Sequence, residues 1–514
     1  MDSSWTTWSG PAWELLLPAV AVPPRSRGQS LTATLREAIR TGRLAAGTRL
    51  PSSRDLAADL RVSRGLVTEV YAQLIAESYL VSRPGAGTWV AELSARATTS
   101  VSGDAAAAHL DHPNHPNHPD PADPRFQSEA PDRVTDFRPG VPALSLFPRV
   151  AWTASYQRAV ATLPTGGLGY PDPRGLPELR AVLAELLARR RGVAVQPEGM
   201  LVCSGVAQAI TLLSRVAAAH GHRSAAVEDP SSPGETSLLE SAGLAVRPIP
   251  LDAEGIHLEA LAESDARLLV ATPAHQFPTG IAYTPERRAA LLAWAKDRGA
   301  LIAEDDYDGE FRYDRAPVGA LQGLAPDLVA YTGSVSKSLA PALRLGWLVP
   351  PAGLLDDLVE AKRIADLGCA VPDQAALADF IQTGRYDRHL RRCQRAYRDR
   401  RDALRTALER ELPDVRILGI AAGLHVIAEF PAHYGPAARL VECARSAGVQ
   451  LYPVDSYRIG PTQPETLGTL GTVGTPARIV LGYANLTSRQ ISAGISDLAR
   501  AVGTHGVRTG LATG

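Results

Sequence analysis

The chain has 514 residues, and its 53 basic and 54 acidic residues leave a formal net charge of −1. This length predicts two or three domains, while the balanced charge excludes a protein that attracts nucleic acid through its overall field. No apolar run approaches the roughly 20 residues that a membrane helix needs, so no membrane partner is expected. The start lacks the features of a secretion signal, and four scattered cysteines favour a reducing cytoplasm over a disulfide framework or a zinc site.

The first compact unit, about residues 25–93, has the pattern of a winged helix-turn-helix. Its helices are predicted over residues 31–41, 51–60 and 63–78. A tight turn joins the last two helices, and two short strands around Pro84–Gly87 form a hairpin wing. In this plan the last helix enters the DNA major groove. Residues 25–90 hold ten arginines against five acidic residues, which favours double-stranded operator DNA as the partner over the alternative, a protein-binding winged helix.

The stretch LPSSRDLAADLRVSRGLVTEVYAQLIAESYLVSRPGAGTWV resembles the DNA-binding domain of the GntR family over nearly its whole length. The resemblance implies DNA contacts at Arg54, Ser63, Arg64 and the wing residue Gly85. One position departs from the family pattern, because Leu66 stands where a threonine is usual. A hydroxyl contact to phosphate is therefore missing, and the operator sequence is not implied.

Residues 94–133 are predicted to form a flexible linker. They are rich in Ala, Pro, Asp and His and show no apolar periodicity. Inside them the tripeptide HPN repeats in tandem, so His112, His115 and His118 could bind a metal. The linker interpretation is preferred, because a proline at each repeat favours an extended chain.

Helical patterns alternate with short apolar strands in residues 134–505, which predicts a mainly parallel sheet covered by helices. Four of the strands are predicted in the stretches AAVEDP, LLVATP, LIAEDD and LVAYTG. Polar stretches HQFPTG, EDDYD and SVSK follow apolar strands. Since ligands bind at strand ends in such sheets, these stretches are expected to meet in one crevice.

Lys337 is one of only three lysines in a chain with 50 arginines. A lysine amine can lose its proton and condense with an aldehyde, whereas an arginine keeps its proton and is a poor nucleophile. Lys337 is therefore a candidate nucleophile, against the alternative of a surface lysine without a role. For Lys296 and Lys362 we adopt that surface interpretation, because both lie in charged, helix-like patterns.

A lysine in an α/β crevice beside a phosphate site and a carboxylate suggests pyridoxal 5′-phosphate. The candidate phosphate site is SGVAQ (204–208), which follows a strand and opens a helix, so that backbone N–H groups of Gly205, Val206 and Ala207 point at an anion. Ser334 and Arg344 lie on either side of Lys337 and can join them.

The ring of the cofactor needs partners as well. Asp305 ends a strand and can keep the pyridine nitrogen protonated, and Tyr307 can donate to the phenolic oxygen. An acidic surface turn is the alternative for EDDYD. The order of the motifs, rather than any single one, favours the cofactor.

The stretches DFRPGVPALSLFP, GYPDPRGLPELR, TPAHQFPTG, EDDYDGEFRYD and SVSKSLAPALRLGW resemble fold-type I aminotransferases. With the N-terminal unit, they resemble the MocR subfamily of GntR regulators, in which a winged helix is joined by a linker to an aminotransferase-like domain. The resemblance implies roles for six residues. They are the Schiff-base lysine Lys337, the pyridine partner Asp305, the O3′ contact Tyr307, the phosphate ligand Arg344, the pocket residue His275, and Tyr170, which reaches the neighbouring subunit's cofactor and so implies a homodimer.

Three positions depart from that pattern. Ser232 stands where a tyrosine usually stacks on the cofactor ring, and Ala207 stands where glutamine is common. Val480 occupies the place of the arginine that binds a substrate carboxylate in aminotransferases, with Arg478 two residues earlier as a possible substitute.

The sequence therefore predicts a one-component transcription regulator that binds operator DNA and senses pyridoxal phosphate or an amino compound. A working aminotransferase with an accessory DNA-binding domain is the first alternative. A regulator that keeps the aminotransferase fold only as a dimerisation platform, without cofactor, is the second.

Overall fold

The computed structural model describes residue 23 and residues 27–41, 43–83, 87–91, 134–313, 318–419, 422–460 and 476–509. The predicted linker (94–133), with its three histidines, and the predicted DNA contact Gly85 lie outside these residues. Within the described residues no helix is long and apolar enough to cross a lipid bilayer.

The N-terminal domain is the predicted winged helix. Its elements are α1 (Arg27–Arg40), β1 (Arg49–Leu50), α2 (Ser53–Asp59), α3 (Arg64–Ala76), β2 (Leu80–Arg83) and β3 (Gly87–Val90). The three strands form an antiparallel sheet in the order β1-β3-β2. The hydroxyls of Ser52 and Ser63 cap α2 and α3 by accepting hydrogen bonds from Asp55 N and Leu66 N, which fixes where both helices begin.

The helical spacing of Leu66, Val70, Leu74 and Ile75 predicts that these four side chains face inward. Val70 and Leu74 are buried together with Val67, whereas Leu66 and Ile75 are only half-buried. Ser63 caps the helix, so Leu66 lies in the first turn, at the edge of the domain core.

The large domain is built on an eight-stranded sheet in the order β5-β12-β11-β10-β9-β6-β7-β8. Its strands are β5 (Leu201–Cys203), β6 (Ser224–Asp229), β7 (Ala245–Asp252), β8 (Gly255–Ile256), β9 (Leu268–Ala271), β10 (Leu301–Asp305), β11 (Val329–Ser334) and β12 (Gly346–Val349). Five adjacent strands, β7, β6, β9, β10 and β11, are parallel, and β12 and β8 are antiparallel to their neighbours. The four strands predicted from apolar runs are β6, β9, β10 and β11, so the mainly parallel sheet is confirmed.

Helices cover both faces of this sheet. They are α4 (Arg149–Thr162), α5 (Pro177–Arg191), α6 (Val206–Ala219), α7 (Pro233–Ser241), α8 (Leu258–Glu263), α9 (Pro285–Arg298), α10 (Leu355–Asp366) and α11 (Val371–Gln382). A short parallel pair, β4 (Thr135–Asp136) with β15 (Val449–Gln450), joins the start of this domain to its end.

A smaller antiparallel sheet follows the 27-residue helix α12 (Arg385–Glu411). Its strands, in the order β13-β14-β17-β16, are β13 (Arg416–Leu418), β14 (His425–Phe430), β16 (Tyr452–Pro453) and β17 (Ala477–Gly482). Helices α13 (Ala437–Ser446) and α14 (Ser488–Thr509) complete this part of the fold.

The winged helix packs directly on the large domain. Tyr79 Oη donates a hydrogen bond of 2.9 Å to the carbonyl oxygen of Gly323. Beside it, Arg36 and Glu77 form an ion pair of 2.7 Å in which Glu77 is 1% exposed. Apolar side chains of both domains form one continuous cluster, which includes Leu31, Leu35, Leu74, Leu291, Trp294 and Leu321. Burial of these groups holds the two domains together.

Candidate functional site

Lys337 lies in the loop after β11, where the carboxyl ends of the parallel strands meet. Its Nζ donates a hydrogen bond of 2.5 Å to the carbonyl oxygen of Gly140. Burial lowers the pKa of Lys337, and the nearby negative charge of Asp305 opposes this shift only in part. The amine therefore loses its proton more readily than an ordinary lysine, which is what a nucleophilic lysine requires.

Asp305 ends β10, next to β11. Its Oδ1 is buried and has no hydrogen-bond partner within the described residues. Burial raises the pKa of Asp305 to about 7, with a further contribution from the charge of Asp306. A buried carboxylate oxygen without a donor fits a ring N–H, such as that of a protonated pyridine.

Tyr307, His275 and Asp308 form a connected group beside Lys337. Tyr307 Oη lies 3.0 Å from His275 Nδ1, and the same nitrogen lies 2.8 Å from a carboxylate oxygen of Asp308. His275 Nε2 is buried without a hydrogen-bond partner among the described residues. The motifs after β9, β10 and β11 are thus brought together, as the sequence predicted.

The candidate phosphate site lies at the start of α6. Gly205 has φ +90° in the left-handed region and caps the helix, so Val206 and Ala207 begin it with their N–H groups unused by earlier turns. A Cβ at Gly205 would lie 3.2 Å from the terminal nitrogens of Arg344. Arg344 itself donates to the carbonyl oxygen of Ser204. Helix N–H groups and a guanidinium at one point make an anion site.

Ser334 completes the arrangement from the other side. It ends β11, and its hydroxyl accepts a hydrogen bond of 3.3 Å from Ser336 N, at the start of the turn that carries Lys337. Of the predicted phosphate residues, Arg344 and the N–H groups of Val206 and Ala207 therefore meet at the start of α6, while Ser334 lies at the end of β11, in the turn that carries Lys337.

The structure shows the surroundings of Ser232 and Val480, two residues that depart from the aminotransferase pattern. Ser232 is half-buried at the N-cap position of α7, with Glu235 in the first turn. Val480 is fully buried and packs in a small apolar cluster with Ile427. Arg478 is engaged elsewhere, because its Nε lies 2.9 Å from Glu429 on the neighbouring strand.

One charged residue near this position was missed by the sequence analysis. Arg138 donates from Nε to Tyr452 Oη at 3.1 Å and forms an ion pair of 3.2 Å with Asp136. Tyr452 lies directly opposite Val480 in the small sheet. The stretch DFRPG was assigned to the aminotransferase-like domain, but its sequence alone does not predict that Arg138 lies beside this strand.

Lys296 and Lys362 were both predicted to be surface lysines, and the structure confirms this for only one of them. Lys296 is exposed in α9, as expected. Lys362 is fully buried, so its interpretation as a surface lysine was wrong. The reason is that its amine is paired with Asp366, four residues later, which offsets the cost of burying the charge.

The predicted DNA contacts Arg54, Ser63 and Arg64 are exposed at the starts of α2 and α3. Helix N-termini and arginines together suit phosphate and base contacts. Tyr170, the residue expected to reach a second subunit, is 90% exposed in the loop before α5. The structure describes no group of His, Cys, Asp and Glu residues that could hold a metal ion.

Comparisons with known proteins agree with both halves of the fold. Residues 28–90 match the family of bacterial regulatory proteins of the gntR type, and residues 140–470 match aminotransferase class I and II. The chain is 33% identical to the uncharacterized HTH-type transcriptional regulator YhdI of Bacillus subtilis, over 91% of this chain and 94% of that protein. It is 34% identical to the probable rhizopine catabolism regulatory protein MocR of Rhizobium meliloti, over 90% and 91%.

A solved structure shares the large domain. It is LysN, an α-aminoadipate aminotransferase of Thermus thermophilus, complexed with N-(5′-phosphopyridoxyl)-L-leucine. The two are 29% identical with a TM-score of 0.62, over 73% of this chain and 93% of LysN.

The fold and the site define a fold-type I, pyridoxal phosphate-binding domain joined to a winged helix. The unpaired oxygen of Asp305 and the cradle of Gly205 and Arg344 fit that cofactor. The chain belongs to the MocR subfamily of GntR-family transcriptional regulators.

Proposed function

We propose that this protein is a one-component transcription regulator. It binds operator DNA through the starts of α2 and α3 and binds pyridoxal phosphate in the crevice around Lys337. The observation that carries the proposal is a chain of hydrogen bonds that links the strand carrying Asp305 to the winged-helix domain. Glu304, next to Asp305 on β10, accepts hydrogen bonds from the backbone N–H groups of Leu321 and Gln322, at 2.9 and 3.1 Å. The adjacent residue, Gly323, is the one that binds Tyr79 of the winged helix.

In this proposal each residue of the crevice has its own task. When bound, pyridoxal phosphate supplies an aldehyde that condenses with an amine. Lys337 provides that amine, and its lowered pKa raises the unprotonated fraction. Asp305 accepts the ring N–H, and Tyr307 donates to the phenolic oxygen. Arg344, with the N–H groups that begin α6, binds the phosphate.

The effect of a ligand bound in the crevice would be transmitted to the winged helix through β10. A ring N–H at Asp305 replaces an unpaired buried oxygen by a hydrogen bond, so the end of β10 changes its preferred position or rigidity. Glu304 transmits that change to Leu321 and Gln322, because it accepts hydrogen bonds from their backbone N–H groups, and so to the adjacent Gly323. The pair formed by Gly323 and Tyr79 then passes it to the DNA-binding domain. Ligand and operator affinities would be linked in both directions.

The crevice favours sensing over turnover. Transamination needs the substrate carboxylate to be held while a proton is moved. Val480 is an apolar, fully buried residue at the carboxylate position, and Arg478 is paired with Glu429. The cofactor-free alternative is disfavoured by Asp305, since a buried acceptor without a donor costs stability unless a ligand supplies one.

A homodimer suits the surface around Tyr170. Leu168 is 70% exposed, and both residues border an open cavity of about 320 Å³, whose other side is formed by Leu367 and Cys369. A second copy of the chain would cover this apolar surface and bring Tyr170 to the partner's crevice. We place the domain limits at residues 25–93 and 134–505, and the protein in the cytoplasm, where operator DNA is accessible.

The effector is pyridoxal phosphate itself or an amino compound that reacts with it. Operator binding measured with and without each of these, beside an assay of keto-acid release, tests the proposal. A change in operator affinity without turnover supports it, and turnover without such a change contradicts it.

A further inference from the structure

Lys362 lies at the centre of a buried polar cluster behind the phosphate site. The residue is fully buried in α10. Its Nζ donates to both carboxylate oxygens of Asp366, at 3.0 and 2.8 Å, and to Gln208 Oε1 at 3.1 Å. The Cys369 sulfur lies 3.4 Å away. Burial alone would lower the pKa of Lys362, but the hydrogen bond to Asp366 raises it above its ordinary value, so the amine stays charged.

This cluster contacts the loop Ser204–Gly205 of the candidate phosphate site. The side chain of Gln208 connects the two, because the Oε1 atom that accepts from Lys362 also accepts a hydrogen bond of 2.8 Å from Ser204 N. Its Nε2 donates to Asp366 at 2.7 Å. Lys362 and Asp366 therefore fix which end of the amide is oxygen and which is nitrogen. With the amide in the opposite orientation, an NH₂ group would face Ser204 N, and two donors would meet.

The loop held in this way is the one that forms the anion site. The carbonyl oxygen of Ser204 accepts a hydrogen bond from Arg344, and Gly205 follows with its left-handed φ. Gln208 thus fixes the N–H of Ser204, while Arg344 fixes its carbonyl group. The ring end of the crevice depends on other elements, since Asp305 ends β10 and Tyr307 lies two residues later, whereas the hydrogen bonds described for Lys362 go to Gln208, Asp366 and Cys369.

We infer that Lys362 is a positioning residue for the phosphate group of the cofactor, acting through Gln208 and Asp366 on the loop at Ser204–Gly205. The inference rests on the proposed function, because it assumes that pyridoxal phosphate binds in this crevice. The effect of Lys362 on binding is confined to the phosphate end of the ligand. Loss of Lys362 weakens recognition of the phosphate and leaves recognition of the ring intact.

The size of the cluster explains why this position is lysine in a chain rich in arginine. An ammonium group is compact and presents three donors, and Gln208, Asp366 and Cys369 surround it. A planar guanidinium is larger, and close-packed interiors tolerate added volume poorly. Arginine at position 362 is therefore not expected to restore the function.

The test compares ligands with and without phosphate. Pyridoxal phosphate and pyridoxal are titrated into the full-length protein, and inorganic phosphate is used as a competitor. The variants are Lys362→Met and, as a matched control, Lys296→Met, which removes an exposed helical lysine. Lys362→Met should weaken pyridoxal phosphate and inorganic phosphate about tenfold, the loss of one charged hydrogen-bond network. Pyridoxal should bind as it does to the wild type, and Lys296→Met should change nothing.

Two results would overturn the inference. They are equal losses for pyridoxal and pyridoxal phosphate, which would mean a general structural role, or no loss for either. If Lys362→Met does not fold, Asp366→Asn at a partly exposed position replaces it and should show the same phosphate-selective loss, about threefold. A wild type that binds neither ligand would instead contradict the proposed function.

Discussion

Tyr79 Oη, in the DNA-binding domain, donates a hydrogen bond of 2.9 Å to the carbonyl oxygen of Gly323, 244 residues away in the sequence. Gly323 directly follows Leu321 and Gln322, whose N–H groups are held by Glu304 beside Asp305. The buried bond of Tyr79 and the two hydrogen bonds of Glu304 therefore connect the winged helix to the strand that carries the candidate ring partner of the cofactor.

The substitution Tyr79→Phe should reduce the effect of ligand on operator affinity. It removes one hydrogen bond, worth about 1 kcal/mol, and leaves the Gly323 carbonyl group buried without this donor. Operator affinity of the ligand-free protein should change little, since α2 and α3 are untouched. The control is Tyr71→Phe, which removes a similar bond of 3.0 Å to Pro51 within the winged helix. If both variants retain the full ligand effect, the bond at Tyr79 does not couple the sites.

Lys337→Ala should abolish covalent attachment of pyridoxal phosphate. The wild type, mixed with the cofactor and dialysed, should keep an absorbance band in the near-visible range that borohydride reduction makes permanent. Lys296→Ala should keep the band, because Lys296 is exposed on α9. Survival of the band in Lys337→Ala would show that another amine is the attachment site.

Asp305→Asn should stabilise the cofactor-free protein at about pH 8. In the folded protein the pKa of Asp305 is raised from 3.8 to about 7, so its contribution to stability is present below about pH 4 and is lost as pH rises through 7. The asparagine variant avoids that loss, so its gain should be on the order of 1 kcal/mol at about pH 8 and vanish near pH 4. Urea unfolding at both pH values measures it. Pyridoxal phosphate should stabilise the wild type more than the variant, and a variant that is less stable at every pH would contradict the assignment.

Arg64→Ala should weaken operator binding by about 1–3 kcal/mol if Arg64 contacts a base edge. The residue is exposed at the start of α3, the helix expected in the major groove. Binding to random DNA should fall much less. Arg40→Ala, at an exposed arginine of α1, serves as control. An equal fall on both DNAs would make Arg64 a phosphate contact, and no fall would contradict the placement of α3.

Local sequence patterns were sufficient to predict the winged helix, four strands of the large sheet and the position of the crevice. Apolar runs identified β6, β9, β10 and β11, and the polar residues after them converge because parallel strands end at one edge of a sheet. The positions of Lys337 and Asp305 in this crevice could be predicted for the same reason, since Asp305 ends β10 and Lys337 lies in the loop after β11.

Long-range packing could not be predicted in this way. Lys362 looked like a surface lysine because its helix is charged, and its partner Gln208 is 154 residues away. The docking of Tyr79 depends on a carbonyl oxygen, which no side-chain pattern reveals. The position of Arg138 beside the small sheet could not be predicted either, because its partner Tyr452 lies 314 residues further along the chain.

The central claim, that the crevice senses rather than catalyses, is tested most directly by two assays on one protein preparation. The first measures operator affinity with and without pyridoxal phosphate and amino compounds, and the second measures keto-acid release from an amino donor and acceptor. Ligand is expected to change operator affinity by about 1–3 kcal/mol, while keto-acid release should stay near background. Steady turnover of about 1–10 s⁻¹ or more, with operator affinity unchanged by any ligand, would contradict it.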